Sequence, residues 1–219
     1  MNIIQSPSPH RSSRQNHAVL MIINHTMQGT LSGTASWLRN LSSRVSYHYG
    51  IGRNGEIHQY VADNMAAWHS GAIRRPSTTL PHPANVNPNL YSIGVAWEGR
   101  AGEALTEVQY QSGLLLHQRL LKDVVGTTLP LRQRIVGHSQ IFSGKPNCPG
   151  NAFPWERLYT DLAESNKQNN DPRILIEGKE IPVEMISGRA FAPARLLLEA
   201  LNYAITWDET TQTITARKR

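Results

Sequence analysis

The 219-residue chain contains a single cysteine, Cys148. No disulfide can form within it, so its fold does not rely on oxidation. No apolar run is long enough to span a bilayer, and membrane insertion is not expected. The N-terminal stretch MNIIQSPSPHRSSRQNH lacks the charged start, apolar run and small-residue cleavage site of a secretory signal, so the expected compartment is the cytoplasm. Long basic runs are also lacking. The net charge of +6 comes from scattered residues, without the Lys/Arg runs or interleaved aromatics that read nucleic acid. Nucleic acid is therefore not an expected partner. A phosphate-rich anionic polymer and a plainly solvated basic surface both stay open.

The apolar content, 39%, supports a core, and the length suits one sizeable domain followed by a small one. The polar run ESNKQNNDP, residues 164–172, suggests the division: a domain over 1–166, a linker over 167–172 and a small domain over 173–219. The first part holds 14 Lys/Arg, 9 Asp/Glu, all nine histidines and the cysteine; the last 53 residues hold 8 Lys/Arg and 7 Asp/Glu. Metal or acid–base chemistry therefore belongs to the first part.

Within it, AVLMIIN and SIGVAW read as buried strands. TASWLRNLS has helical spacing that places Trp37, Leu38 and Leu41 on one side. YHYGIGRNGEIHQYV reads as two strands joined at Asn54-Gly55. Residues 63–91 read as a long loop, a common place for binding residues. LTEVQYQSGLLLHQRLLKDVVG is a helix with capping-box spacing at Thr106 and Gln109 and with Leu114, Leu115, Leu121 and Val125 in period. RIVGH is a short strand, and FPWERLYTDLAE a closing helix. Alternating strands and helices give the α/β class, a sheet with helices packed on it.

Two histidines end strands: His25 follows AVLMIIN and His138 follows RIV. Cys148 lies ten residues after His138 in the Pro/Gly-rich loop of GHSQIFSGKPNCPG, which can fold back on the strand end. Two imidazoles and a thiolate are zinc-type ligands, and three protein ligands leave a fourth position open for water. Spacing alone keeps the alternatives in place: a lone cysteine is also a good small core residue, and a histidine a surface or hydrogen-bonding one. Tyr47 reads equally as a strand aromatic. Trp68 and His69, in AAWHSG, suit binding or packing; Asn89 and Ser92 also fit turn and strand-start chemistry. His48, His58 and His117 are read as structural.

The stretches HTMQGTLSGTASWL, SYHYGIGRNGEIHQYV, AAWHSG, NPNLYSIGVAWEG and GHSQIFSGKPNCPG, in this order, resemble zinc-dependent N-acetylmuramoyl-L-alanine amidases, a family of phage endolysins, bacterial autolysins and peptidoglycan recognition proteins. The resemblance covers residues 18–160. It implies a central mixed sheet flanked by helices and hydrolysis of the amide between N-acetylmuramic acid and L-alanine of the peptidoglycan stem. One zinc ion is implied, held by His25, His138 and Cys148, where the family has Asp or Cys at the third position. Tyr47 matches a catalytic tyrosine of the phage members. Lys145 matches their catalytic lysine, but stands three residues before Cys148 where the family usually has two. Trp68, His69, Asn89 and Ser92 fall near the substrate groove.

In the last part, ILIEGKEIPVEM and YAITWDETTQTITARK read as hairpins around the helix FAPARLLLEALN, a small α+β domain. It resembles the domain found at the N-terminus of some copper amine oxidases and in Gram-positive cell-surface proteins. Without His or Cys it offers copper none of the usual ligands, and attachment to the wall is the expected role. Together these features imply an endolysin that waits in the cytoplasm until lysis, with peptidoglycan and anionic wall polymers as partners. The alternatives are a non-catalytic peptidoglycan-binding protein and a host autolytic or sporulation amidase.

Overall fold

The computed structural model describes residues 1–71, 86–142, 147–170, 174–177, 179–181, 183–186 and 189–219. It separates into two compact units, Met1–Ala163 and Glu164–Arg219. The first contains β1 (Ile3–Gln5), β2 (Arg11–Ser13), β3 (Met21–Thr26), α1 (Leu31–Arg39), β4 (Tyr49–Ile51), β5 (Ile57–Gln59) and β6 (Met65–Ala67). These are followed by α2 (Pro88–Tyr91), β7 (Ser92–Trp97), α3 (Glu107–Asp123), α4 (Leu131–Arg134), β8 (Ile135–Gly137), α5 (His138–Ile141) and the start of α6 (Trp155–Asn170).

Six strands form a mixed sheet in the order β1-β5-β4-β7-β3-β8. All its pairings are parallel except the β4–β5 hairpin. That hairpin turns through Gly55 at φ +83°, a conformation favouring glycine. Every residue of β3 and of β7 is buried, as parallel strands covered on both faces require. Alternation divides their apolar side chains between the faces. Ile22, Ile93, Val95 and Trp97 pack with Leu116 and Leu120 of α3 and Leu158 of α6. Met21 and Ile23 join Tyr91, Val136 and Ile141 in a separate cluster.

Two helices deviate from their expected faces. Thr30 caps α1, its hydroxyl accepting from the Gly33 N–H, and the buried stripe is Leu31, Ala35 and Leu38. Trp37 and Leu41 are 54% and 77% exposed: a nine-residue helix offers too few turns to tell adjoining faces apart by period alone. In α3, Thr106 caps as anticipated by accepting from the Gln109 N–H, but Leu115 is exposed and Leu116 and Leu120 form the buried centre. Gly113 faces Trp97 so closely that a Cβ there would lie 1.9 Å from the indole ring.

The polar run expected as a linker is helical as far as Asn170, where α6 ends. The second unit then forms three hairpins: β9 (Ile174–Ile176) with β10 (Lys179–Ile181), β11 (Glu184–Ile186) with β12 (Arg189–Phe191), and β13 (Tyr203–Asp208) with β14 (Thr213–Lys218). Helix α7 (Ala194–Ala200) stands between the last two hairpins. The expected turn at DETTQ is present, the Asp208 carboxylate accepting from the N–H groups of Thr210 and Thr211.

Candidate metal centre

The parallel register of β3 and β8 places Asn24 opposite Gly137, so the residues that follow, His25 and His138, stand side by side at adjacent strand ends. Their ring centroids are 4.5 Å apart. The loop carrying Cys148 returns to the same point, where the Ser139 N–H donates to the Cys148 carbonyl at 2.9 Å. Gly137 permits the return: a Cβ there would lie 2.9 Å from Pro149 Cδ. One donor atom from each of His25, His138 and Cys148 lies within 4.8 Å of the others, and the Cys148 Sγ is 3.9 Å from His25 Nδ1.

These three residues line an open cleft of about 740 Å³, with Tyr47, Trp68 and Trp37 also on its walls. The His25 ring is 1% exposed. Burial, reinforced by the neighbouring His138 and His48, holds it well below the usual histidine range, so it is neutral with a lone pair to give. The Tyr47 ring sits 5.1 Å from that of His25. Burial and then the adjacent Cys148 push its phenol up, so Tyr47 keeps its proton at neutral pH and is a hydrogen-bond donor.

The remaining expected site residues are distributed differently. Trp68 lines the cleft, and its indole N–H donates to Ser12 Oγ at 3.3 Å. His69 also borders the cleft, but both ring nitrogens have protein partners, His25 and Ser92. Asn89 and Ser92, expected at the substrate groove, are buried behind His69 and do not line the cleft. The Asn89 side-chain oxygen accepts from the N–H groups of His69 and Ser70 and from the Ser70 hydroxyl. Lys145 lies outside the described residues.

Sequence reasoning missed two residues. Trp37, which was only grouped with Leu38 and Leu41 on one side of α1, lines the cleft. Arg14, in the polar N-terminal stretch, is buried with its guanidinium donating to the carbonyls of Asp63, Leu90 and Ser92. It ties that stretch to β7, and nothing local to the sequence signals it.

The model of the N-acetylmuramoyl-L-alanine amidase family matches residues 15–151, and that of the copper amine oxidase N-terminal domain matches residues 175–219. The chain is 30% identical over 170 residues to N-acetylmuramoyl-L-alanine amidase A of Achromobacter lyticus, covering 68% of this chain and 84% of that protein. It is 36% identical over 119 residues to the 1,6-anhydro-N-acetylmuramyl-L-alanine amidase AmpD of Haemophilus influenzae, covering 54% of this chain and 59% of that protein. In structure it is similar to a selenomethionine derivative of AmpD, with a TM-score of 0.58 at 23% identity, over 73% of this chain and 93% of that one. The chain belongs to the N-acetylmuramoyl-L-alanine amidase family.

Proposed function

We propose that the chain hydrolyses the amide between N-acetylmuramic acid and the L-alanine of the peptidoglycan stem, using one zinc ion held by His25, His138 and Cys148. The observation that carries this reading is the convergence of the three donors at the floor of an open cleft. Two imidazoles and a thiol are a zinc-type set, and three protein ligands would leave a fourth position open for water. Bound there, zinc supplies the Lewis acidity that polarises a carbonyl and acidifies water. Tyr47, a neutral phenol beside His25, donates to the oxygen that gains charge as the amide is attacked. Lys145 is assigned the same duty on its sequence match alone. Trp68 offers the substrate an aromatic wall.

The small domain, residues 173–219, is assigned to holding the enzyme on the wall, which raises its local concentration at an insoluble substrate. An attachment domain favours polymeric wall as substrate, and with it a phage or prophage lytic enzyme kept in the cytoplasm until lysis. The 36% identity to AmpD favours a second reading, a host enzyme acting on soluble 1,6-anhydro-muropeptides.

Purified protein is incubated with cell walls and, separately, with soluble 1,6-anhydro-muropeptides, before and after metal removal. New N-terminal alanine without new reducing ends, lost on stripping metal and restored by zinc, is the expected result. Faster cleavage of the soluble substrate would favour the host enzyme. Wall binding by zinc-loaded protein without new ends would sink the catalytic reading.

A further inference from the structure

His69 is held through both its backbone and its ring. Asn89 holds its backbone, and Gly94 of β7 clears space for its ring, since a Cβ there would lie 2.5 Å from His69 Cγ. The Nδ1 of His69 is 3.0 Å from His25 Nε2, and its Nε2 is 3.2 Å from Ser92 Oγ. Ser92 fixes the direction of the chain. Its hydroxyl has one hydrogen, donated to the Pro88 carbonyl at 2.6 Å, so towards His69 it can only accept.

The consequences follow in order. His69 donates from Nε2, and a neutral imidazole then has an unprotonated Nδ1. That nitrogen accepts from His25, which therefore carries its single hydrogen on Nε2. The Nδ1 of His25 is left as a lone pair on the side facing Cys148 Sγ.

We propose that Ser92 and His69 form a relay that fixes the tautomer and orientation of His25, presenting its Nδ1 to the metal. His69 is thus a positioning residue, and Asn89, Ser92 and Gly94 are its mounting. The inference rests on the reading of His25 as a ligand. Hydrogen bonds of this kind behind a ligating histidine are worth 10- to 100-fold in metal affinity.

Long-range proton–nitrogen NMR of the metal-free full chain, labelled in histidine and held at pH 8, reads the His25 tautomer directly. Competition with a chromophoric chelator reads zinc affinity. Wild type should carry hydrogen on His25 Nε2. Ser92→Ala and His69→Leu should populate the Nδ1–H form and weaken zinc by ~10- to 100-fold. His69→Asn, whose carbonyl can stand where Nδ1 stood, should keep the tautomer and lose little affinity. Hydrogen on His25 Nδ1 in wild type overturns the proposal without recourse to any variant. So does an unchanged tautomer and affinity in folded Ser92→Ala. An Nε2–H tautomer in a protein that binds no zinc upholds the relay and sinks the metal reading instead.

Discussion

His25 and His117 are both buried, and burial holds both neutral, yet one lies on the cleft floor and the other in the packing beneath α3. The Nδ1 of His117 is 2.8 Å from the carbonyl of Gly113, one turn earlier in the same helix. Its ring stacks on Trp97 at 5.9 Å, and its Nε2 has no partner among the described residues. Around His25 lie His138, Cys148, Tyr47 and His69, from four separate segments of the chain. Burial alone does not make a histidine a site. What separates the two regions is the convergence of unlike donors from distant segments on one open space.

The sharpest break of that comparison is Cys148→Ala. Losing a ligand should exceed the ~100-fold loss of metal affinity typical of second-layer partners and abolish amide cleavage, both read by chelator competition and the wall assay. His117→Leu should leave zinc affinity and cleavage near wild type.

A pH titration of stability addresses His48 and His117, two buried histidines outside the ligand set. Burial and then the charge of Arg14 push His48 down to about 3, and burial pushes His117 down to about 4, from the usual 6.5. Folded values below the unfolded one mean stability that is complete above pH 6.5 and lost as the pH falls towards 4 and 3. Between pH 7 and 5 the two should cost on the order of 4 kcal/mol, at about 1.4 kcal/mol per pH unit for each. Denaturant melts at a series of pH values measure the slope, and His117→Leu should lower it by about 1.4 kcal/mol per pH unit between pH 6 and 5. An unchanged slope in that variant would contradict the buried, neutral assignment.

Tyr47→Phe keeps the ring against His25 and removes the donor. It should lower kcat by ~10²–10³ with zinc affinity unchanged, as steady-state kinetics and chelator competition would show. Gly113→Ala is expected to be the smallest effect. It drives a methyl into Trp97 beneath α3 and should destabilise by ~1–3 kcal/mol without touching the metal, as denaturant melts would record.

The parts of the site legible in the sequence are those fixed by short-range pattern. His25 and His138 could be placed at strand ends because AVLMIIN and RIV are apolar runs with a clear stop, and parallel pairing then sets them together. The sheet and its covering helices followed from the alternation of strands with helices; that the sheet is mixed was implied by the family resemblance alone. Trp37 was grouped with the buried Leu38 because the nine residues of α1 fit either of two adjoining faces. Asn89 and Ser92 were expected at the groove, but whether a polar side chain points to solvent or inward depends on what α2 and β6 pack against. Arg14 and β1 were invisible because their partners lie on distant segments, and a strand of three residues is too short to show a period of its own. The role of Ser92 needed the direction of a single hydroxyl hydrogen, which only the folded geometry supplies.

The account turns on one claim, that His25, His138 and Cys148 bind a single metal ion together. X-ray absorption at the zinc edge, on protein loaded with one equivalent of zinc, tests it most directly. The account predicts one sulfur at ~2.3 Å and two imidazole nitrogens at ~2.0–2.1 Å, with the sulfur shell lost in Cys148→Ala. A zinc shell of nitrogen and oxygen alone in wild type, or a spectrum indifferent to that substitution, would contradict it.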